Sequence, residues 1–305
     1  MPVGFIGLGK MGGNMALRLL DQGHELVVTD IDQTLVKPAL DAGATWAGSP
    51  AEVAALCSLV LSSLPGPAQV EAVALGPGGI IEGIEPGSVY VDLSTSTPTQ
   101  IRKVNEAFAA KGGVALDAPV SGNPQHCREG SIAIWIGGEA ADVERVRPVL
   151  ADMSRELTHV GPLGSGSVAK LVNNAVGLAT FKLLGEAISV GVKAGIDHQT
   201  LLSILQQGAF GRGLYLTMMV PSVAFRHAFE PAGFTLGLAR KDLSLATALG
   251  RELNVPLPVL NLVEQDAVEL VQRGHAAKDT AVLFSLQEGR AGVAMHDSDV
   301  EEVEL

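Results

Sequence analysis

The chain has 305 residues, 47% of them hydrophobic, which is enough for two domains and a sizeable core. Its 21 basic against 33 acidic residues leave a formal net charge of −12, which argues against a phosphate-backbone partner, so no nucleic acid is expected. Cys57 and Cys127 show neither metal-ligand spacing nor a disulfide framework, so the expectation is a cytoplasmic protein with no bound metal. The N-terminus enters a strand without a basic leader, and no apolar run reads as long enough to span a bilayer, so no membrane partner is expected either.

The first element is a short apolar run, Val3, Phe5 and Ile6, followed by "GLGKMGG" and then the helix-like face Met11, Met15, Leu17, Leu19 and Leu20. In this strand-to-helix setting Gly7 permits a tight turn, Gly9 lets a diphosphate lie on the backbone, and Gly12 lets helix and strand pack closely. Leu8, Lys10 and Met11 complete the cofactor turn, whose free amides face the anion. The next strand, "ELVVT", ends at Asp30, whose carboxylate suits the ribose hydroxyls of NAD and repels the extra phosphate of NADP. Asp32 adds to that repulsion, so NAD is the expected cofactor.

Further strands are predicted at "SLVLSSLP" (58–65), "SVYVDLS" (88–94), "GVALDAPVS" (113–121) and "SIAIWIGG" (131–138), with a last short one in "ELTHVGPLGSG" (156–166). Their alternation with helix-like stretches predicts an α/β, Rossmann-type domain with a mostly parallel sheet over 1–163. Leu64, Pro65, Ser94 and Thr95 sit at strand ends, where ligands gather, and are candidates to line the cofactor. From Ser167 the chain reads as nearly thirty residues of helix without proline, opening an all-α domain over 164–290. The acidic end, 291–305, reads as a mobile tail.

In "GSGSVAKLVNN" (164–174), Lys170 and Asn174 stand at i and i+4 on one helix face. Together they can hold one hydroxyl, with Lys170 taking its proton in oxidation and returning it in reduction. That role needs a lysine whose pKa is lowered by burial or by positive charge, to which Lys241 could contribute. Ser121 and Gly122 follow a strand end and could bind a substrate carboxylate.

The chain is similar to the β-hydroxyacid dehydrogenases, on "GFIGLGKMGGNMA", "LP" at 64, "VDLSTSTP", "DAPVSG", "GSGSVAKLVNN", "KDLSLA" and "GHAAKDTAVLFSL" taken in order. The resemblance implies a Rossmann domain followed by a helical domain that forms homodimers or homotetramers. It also implies a catalytic Lys170, substrate contacts at Ser121, Gly122 and Asn174, and cofactor contacts at Thr95 and Lys241. Where the family commonly continues "DAPVSG" with glycine and small residues, this chain has Asn123 to Cys127. Asn123 is thus a further substrate-contact candidate, in a bulkier loop that would narrow the pocket. Arg212, in "QQGAFGRGLYLT", is a candidate second anion contact. The expected substrate is a short β-hydroxyacid or its semialdehyde. 3-Hydroxyisobutyrate is the first choice and tartronate semialdehyde the competitor. A dinucleotide-binding sensor without turnover and an imine reductase are the alternatives, and the presence of Lys170 argues against both.

Overall fold

The computed structural model describes residues 1–297 and 300. It divides into two compact units, Met1–Val176 and the residues from Gly177 onward.

The first unit is built on nine strands: β1 (Val3–Ile6), β2 (Leu26–Thr29), β3 (Thr45–Trp46), β4 (Leu59–Ser62), β5 (Val89–Asp92), β6 (Val114–Asp117), β7 (Val120–Ser121), β8 (Ile132–Gly137) and β9 (Ser154–Gly161). The sheet runs β3-β2-β1-β4-β5-β6-β8-β7, with β9 paired to β8. Pairing is parallel except where β8 meets β6 and β7. The order reverses at β1, between β2 and β4, and an open α/β sheet offers its ligand crevice beyond the strand ends at such a point.

Residues alternate between the two faces of each strand. Phe5, Val28, Leu61, Val91 and Leu116 join one core cluster, and Ile6, Val27, Val60, Tyr90 and Ala115 the other. The first face is covered by α1 (Lys10–Asp21), with α2 (Lys37–Asp41) alongside; α3 (Pro50–Leu56), α4 (Pro67–Leu75), α5 (Ile80–Gly83) and α6 (Pro98–Ala109) cover the second. Two later helices, α7 (Pro124–Glu129) and α8 (Ala140–Ala151), return to the first face through Cys127, Val143, Val146 and Leu150. Both cysteines are free and buried, and burial pushes each thiol up to about 11.

The long helix, α9 (Ser165–Lys193), starts in the first unit and continues past Val176. The sequence suggests no apolar run of membrane length, but α9 has the length and composition of a span, with a mean hydropathy of 1.5 over its most apolar stretch. Lys170, Lys182, Glu186 and Lys193 punctuate the helix and hide this in the sequence.

The second unit continues with α10 (His198–Gln207), a π-helical stretch (Tyr215–Ala224), α11 (Leu236–Glu252), α12 (Pro258–Gln272) and α13 (Leu283–Ala291). Its core gathers Phe229, Leu236, Ala267, Leu270, Val282 and Leu286. Glu186 accepts the Val259 amide at the start of α12 at 3.1 Å, and Asp279 accepts the Gly233 and Ala281 amides. Among the described residues its only β pairing is the bridge Thr235–Asp279. The anticipated tail lies partly outside the described residues, at 298, 299 and 301–305. Before it, the Met295 amide donates to Glu288 and the Asp297 amide to the Phe225 carbonyl.

Candidate cofactor and proton-transfer sites

The turn between β1 and α1 is built from absent side chains. Gly7 adopts φ +88°, the left-handed region that glycine favours, and a Cβ there would meet the Ser63 carbonyl oxygen. On Gly12 a Cβ would run into the carbonyl oxygen of Gly7, whereas one on Gly9 would meet nothing within 4 Å. Gly7 and Gly12 therefore serve the close approach of turn and helix, and Gly9 leaves bare backbone facing open space. Side-chain oxygens cap α3 (Ser49), α6 (Thr97), α10 (Asp197) and α11 (Thr235); α1, like α4, α5, α8, α12 and α13, has no side-chain cap. Its first amides remain available to an anion.

Asp30 lies just beyond β2. Its Oδ2 accepts the Leu8 amide at 2.6 Å and its Oδ1 the Asp32 amide at 2.8 Å, so the acid ties the glycine turn to the end of the second strand. A carboxylate has about four lone-pair sites, and the two left over can take ribose hydroxyls. Hydrogen bonds from Thr34 hold the exposed Asp32 carboxyl below the usual range, which keeps a second negative charge beside the first.

A cavity of about 780 Å³ opens over this cradle. Gly7, Gly9, Lys10, Met11, Gly12, Asp30, Leu64 and Pro65, all cofactor candidates from the sequence, line it. So do Ile31, Leu35, Gln69, Ala72 and Val73, which sequence reading did not single out because no motif marks an apolar wall. Leu8 contributes its amide to Asp30 and is itself buried. Ser94 is 4% exposed and its Oγ accepts the Leu64 amide at 2.9 Å, so it braces the lining from behind. Thr95 is exposed and lies outside the lining.

The second cluster gathers at the far ends of β6 and β8. Asp117 closes β6 at 1% exposure; its Oδ1 accepts the Gly164 amide at 2.8 Å and its Oδ2 the Ser167 amide at 2.6 Å. These bonds seat the start of α9. Lys170 follows Ser167 by three residues, is half-buried, and burial lowers its pKa from the ordinary lysine value. Asn174 is also half-buried, one turn further along; the exposed Asn173 donates weakly to its Oδ1 at 3.4 Å. Ser121, half-buried, and Gly122, at φ +151°, follow Asp117 by four and five residues. Ser121 lies on β7 and pairs with Ala133 near the start of β8, whereas Asp117 pairs with Gly137 at the other end of β8 and seats the helix that carries Lys170.

The stretch Asn123–Cys127, read from the sequence as a loop, is instead the start of α7. The Asn123 side chain accepts the His126 amide at 2.9 Å, the His126 ring faces back to the Asn123 amide, and Pro124 fills the first helical position. Asn123 is therefore committed to a capping box. Arg212 and Lys241 belong to the second unit: Arg212 is exposed on the turn before the π-helical stretch, and Lys241 lies on α11 beside the Asp242 carboxylate at 3.0 Å.

A parallel sheet whose first turn offers bare glycine at an uncapped helix start, with an acid closing the second strand, defines a dinucleotide-binding Rossmann domain. Residues 2–161 match the family described as the NAD binding domain of 6-phosphogluconate dehydrogenase. Residues 164–286 match the NAD-binding domain of NADP-dependent 3-hydroxyisobutyrate dehydrogenase. The 2-(hydroxymethyl)glutarate dehydrogenase of Eubacterium barkeri is 33% identical over 97% of each chain. The 3-sulfolactaldehyde reductase of Escherichia coli is 34% identical over 84% of this chain and 86% of its own. Among solved structures, an oxidoreductase from Mycobacterium avium is 31% identical with a TM-score of 0.75, covering 86% of this chain and 95% of its own. A reductive aminase from Aspergillus terreus, 22% identical with a TM-score of 0.83, covers 94% of this chain and 99% of its own and shares the fold alone.

The chain belongs to the β-hydroxyacid dehydrogenase family. It is an oxidoreductase that uses NAD(P) and transfers hydride at a hydroxyl-bearing carbon.

Proposed function

We propose that the protein is an NAD-preferring dehydrogenase or reductase of a short β-hydroxyacid or its semialdehyde, with Lys170 as the group that moves the hydroxyl proton. The observation that carries this reading is the half-buried Lys170, its pKa lowered by burial, on a helix whose start is seated by the buried Asp117 at the end of β6. The bound nicotinamide supplies or accepts the hydride. In the oxidative direction the neutral Lys170 amine takes the hydroxyl proton as the carbon gives up hydride; in reduction the ammonium returns that proton to the carbonyl oxygen. Asn174 orients the same oxygen. Ser121 and Gly122 hold the substrate carboxylate, with the exposed Arg212 as a second anion contact. Asn123 contributes the backbone beyond Gly122, since its side chain is taken by the cap.

For the cofactor we assign the diphosphate to the turn from Gly7 to Gly12, the ribose to Asp30, and the adenine to the apolar wall at Ile31, Leu35, Ala72 and Val73. Leu64 and Pro65, which line the same cavity, and Thr95, which lies outside its lining, are further cofactor contacts in this reading, with Ser94 as a brace and Lys241 as a cofactor contact. The two acids at 30 and 32 support NAD over NADP, and a relative described as NAD-dependent L-serine dehydrogenase is 33% identical over 93% of this chain.

The named relatives act on 3-hydroxyisobutyrate, L-serine, 2-(hydroxymethyl)glutarate and 3-sulfolactaldehyde, compounds with an acidic group near the reacting carbon. That supports a small anionic substrate, with 3-hydroxyisobutyrate the first choice and tartronate semialdehyde the second. We assign the dinucleotide domain to 1–163, the helical domain to 164–290 and the tail to 291–305. Exposed apolar residues on α9, with Leu178 at 72% and Phe181 at 78%, support a homodimer or homotetramer, and the low cysteine count supports a cytoplasmic setting.

A panel of hydroxyacids and semialdehydes, followed by nicotinamide absorbance with both cofactors, tests the reading. Turnover of a short β-hydroxyacid with NAD supports it. Cofactor binding without hydride transfer to any member of the panel would favour a sensor.

A further inference from the structure

The geometry points to Asp117 as a positioning residue that aims Lys170 through the first turn of α9. This rests on the reading of Lys170 as the proton relay.

A helix start leaves its first four amides without partners inside the helix. At α9 one of these, on Ser167, and the amide of Gly164 just before the helix are both taken by a single carboxylate that arrives 50 and 47 residues earlier in the chain. The lengths, 2.6 and 2.8 Å, are those of charge-assisted bonds, and Asp117 is 1% exposed, so water competes little for either. The backbone around them leaves no slack. A Cβ on Gly166 would lie 2.6 Å from the Asp117 carbonyl oxygen and 2.5 Å from that of Trp135, so the helix start is pressed directly onto the ends of β6 and β8.

Lys170 stands one turn beyond Ser167. A shift of the first turn therefore moves the amine by a comparable amount relative to the sheet, in which Asp117 is held by its pairing with Gly137 at the end of β8. Asp117 pairs in register with Asp92 on β5, whose own carboxylate holds Ser62 and Ser94. The two neighbouring acids thus divide the work: Asp92 stiffens the strand ends beside the cofactor cavity, and Asp117 seats the proton-transferring helix.

The test is Asp117→Asn, which keeps the shape and one acceptor and loses the second, measured in the full chain with NAD and the panel member that it oxidises. The expected result is a kcat loss on the order of 10²-fold from misplacement, with the KM for NAD and the affinity for NADH held near wild type. Faster hydrogen exchange should appear at Gly164 and Ser167 but not at Leu8. A wild-type kcat in this variant, alongside an inactive Lys170→Ala, would overturn the proposal while leaving the lysine assignment standing. Full turnover by Lys170→Ala would instead remove the assignment and the proposal with it. Should Asp117→Asn not fold, the wild type still decides. Gly164 and Ser167 amides that exchange only on global unfolding support the anchor, and rapid exchange there overturns it.

Discussion

The cofactor cradle and the start of α9 lie in the same unit yet are made in opposite ways. At the cradle the chain removes side chains: Gly7 and Gly12 let turn and helix close on each other, Gly9 leaves bare backbone, and the principal side chain, Asp30, is recruited from the next strand. At α9 the backbone is the passive partner, held by the buried Asp117 so that Lys170 and Asn174 face one way. The difference teaches that binding a dinucleotide needs room and free amides, whereas moving a proton needs one amine held in place against a buried support.

The largest effect should come from the amine itself. Lys170→Ala is expected to lower kcat by about 10²- to 10⁴-fold, the usual contribution of a positioned acid or base, with NADH affinity near wild type. Loss of both would mean that the two regions are not separable.

Next comes the cradle. Gly12→Ala places a methyl against the Gly7 carbonyl, and overpacking of this kind costs about 1–3 kcal/mol. NADH titration and thermal melting should both weaken. An unperturbed variant would show that helix and turn have slack that the close contact denies.

Asp30→Ala removes the ribose acceptors and the brace on Leu8 together, so both cofactors should bind less well. NAD should lose more, by roughly 1.5–3 kcal/mol for hydrogen bonds to a charged group. Equal losses for NAD and NADP would reduce Asp30 to a brace and undercut the selectivity reading.

The smallest effect is on pH. Burial pushes Asp92 up to about 6, and the Asp117 charge nearby adds to the rise. The folded state then holds a proton that the unfolded state releases near the ordinary aspartate pKa. Stability from this group is complete below that ordinary value and is lost as pH rises toward about 6. The wild-type melting temperature should therefore fall relative to Asp92→Asn between pH 4 and pH 7, by an amount worth on the order of 2 kcal/mol. A difference independent of pH would contradict the raised acid.

The contrast also explains what the sequence discloses. The cradle is legible because its parts are neighbours: a strand, a turn and a helix within twenty residues, with Asp30 at the end of the following strand. The long helix and the i, i+4 placement of Lys170 and Asn174 are legible for the same reason. Asp117 is not, since its partners lie some fifty positions away and nothing in "DAPVSG" says which amides its carboxylate meets. The apolar cavity wall carries no motif, and the two-residue β3 is too short for a periodic signal. Pro124 looked like a loop residue although proline is well suited to a first helical position, and the Asn123 cap that settles the matter shows only in three dimensions.

The central claim is that the Lys170 amine is poised to give and take a proton because burial withholds water from its charged form. The most direct measurement is the titration of Lys170 itself by NMR of isotopically labelled lysine, assigned against Lys170→Ala. A Lys170 pKa below that of the exposed lysines in the same spectrum is predicted. A Lys170 that titrates with them, or above them, would contradict the account.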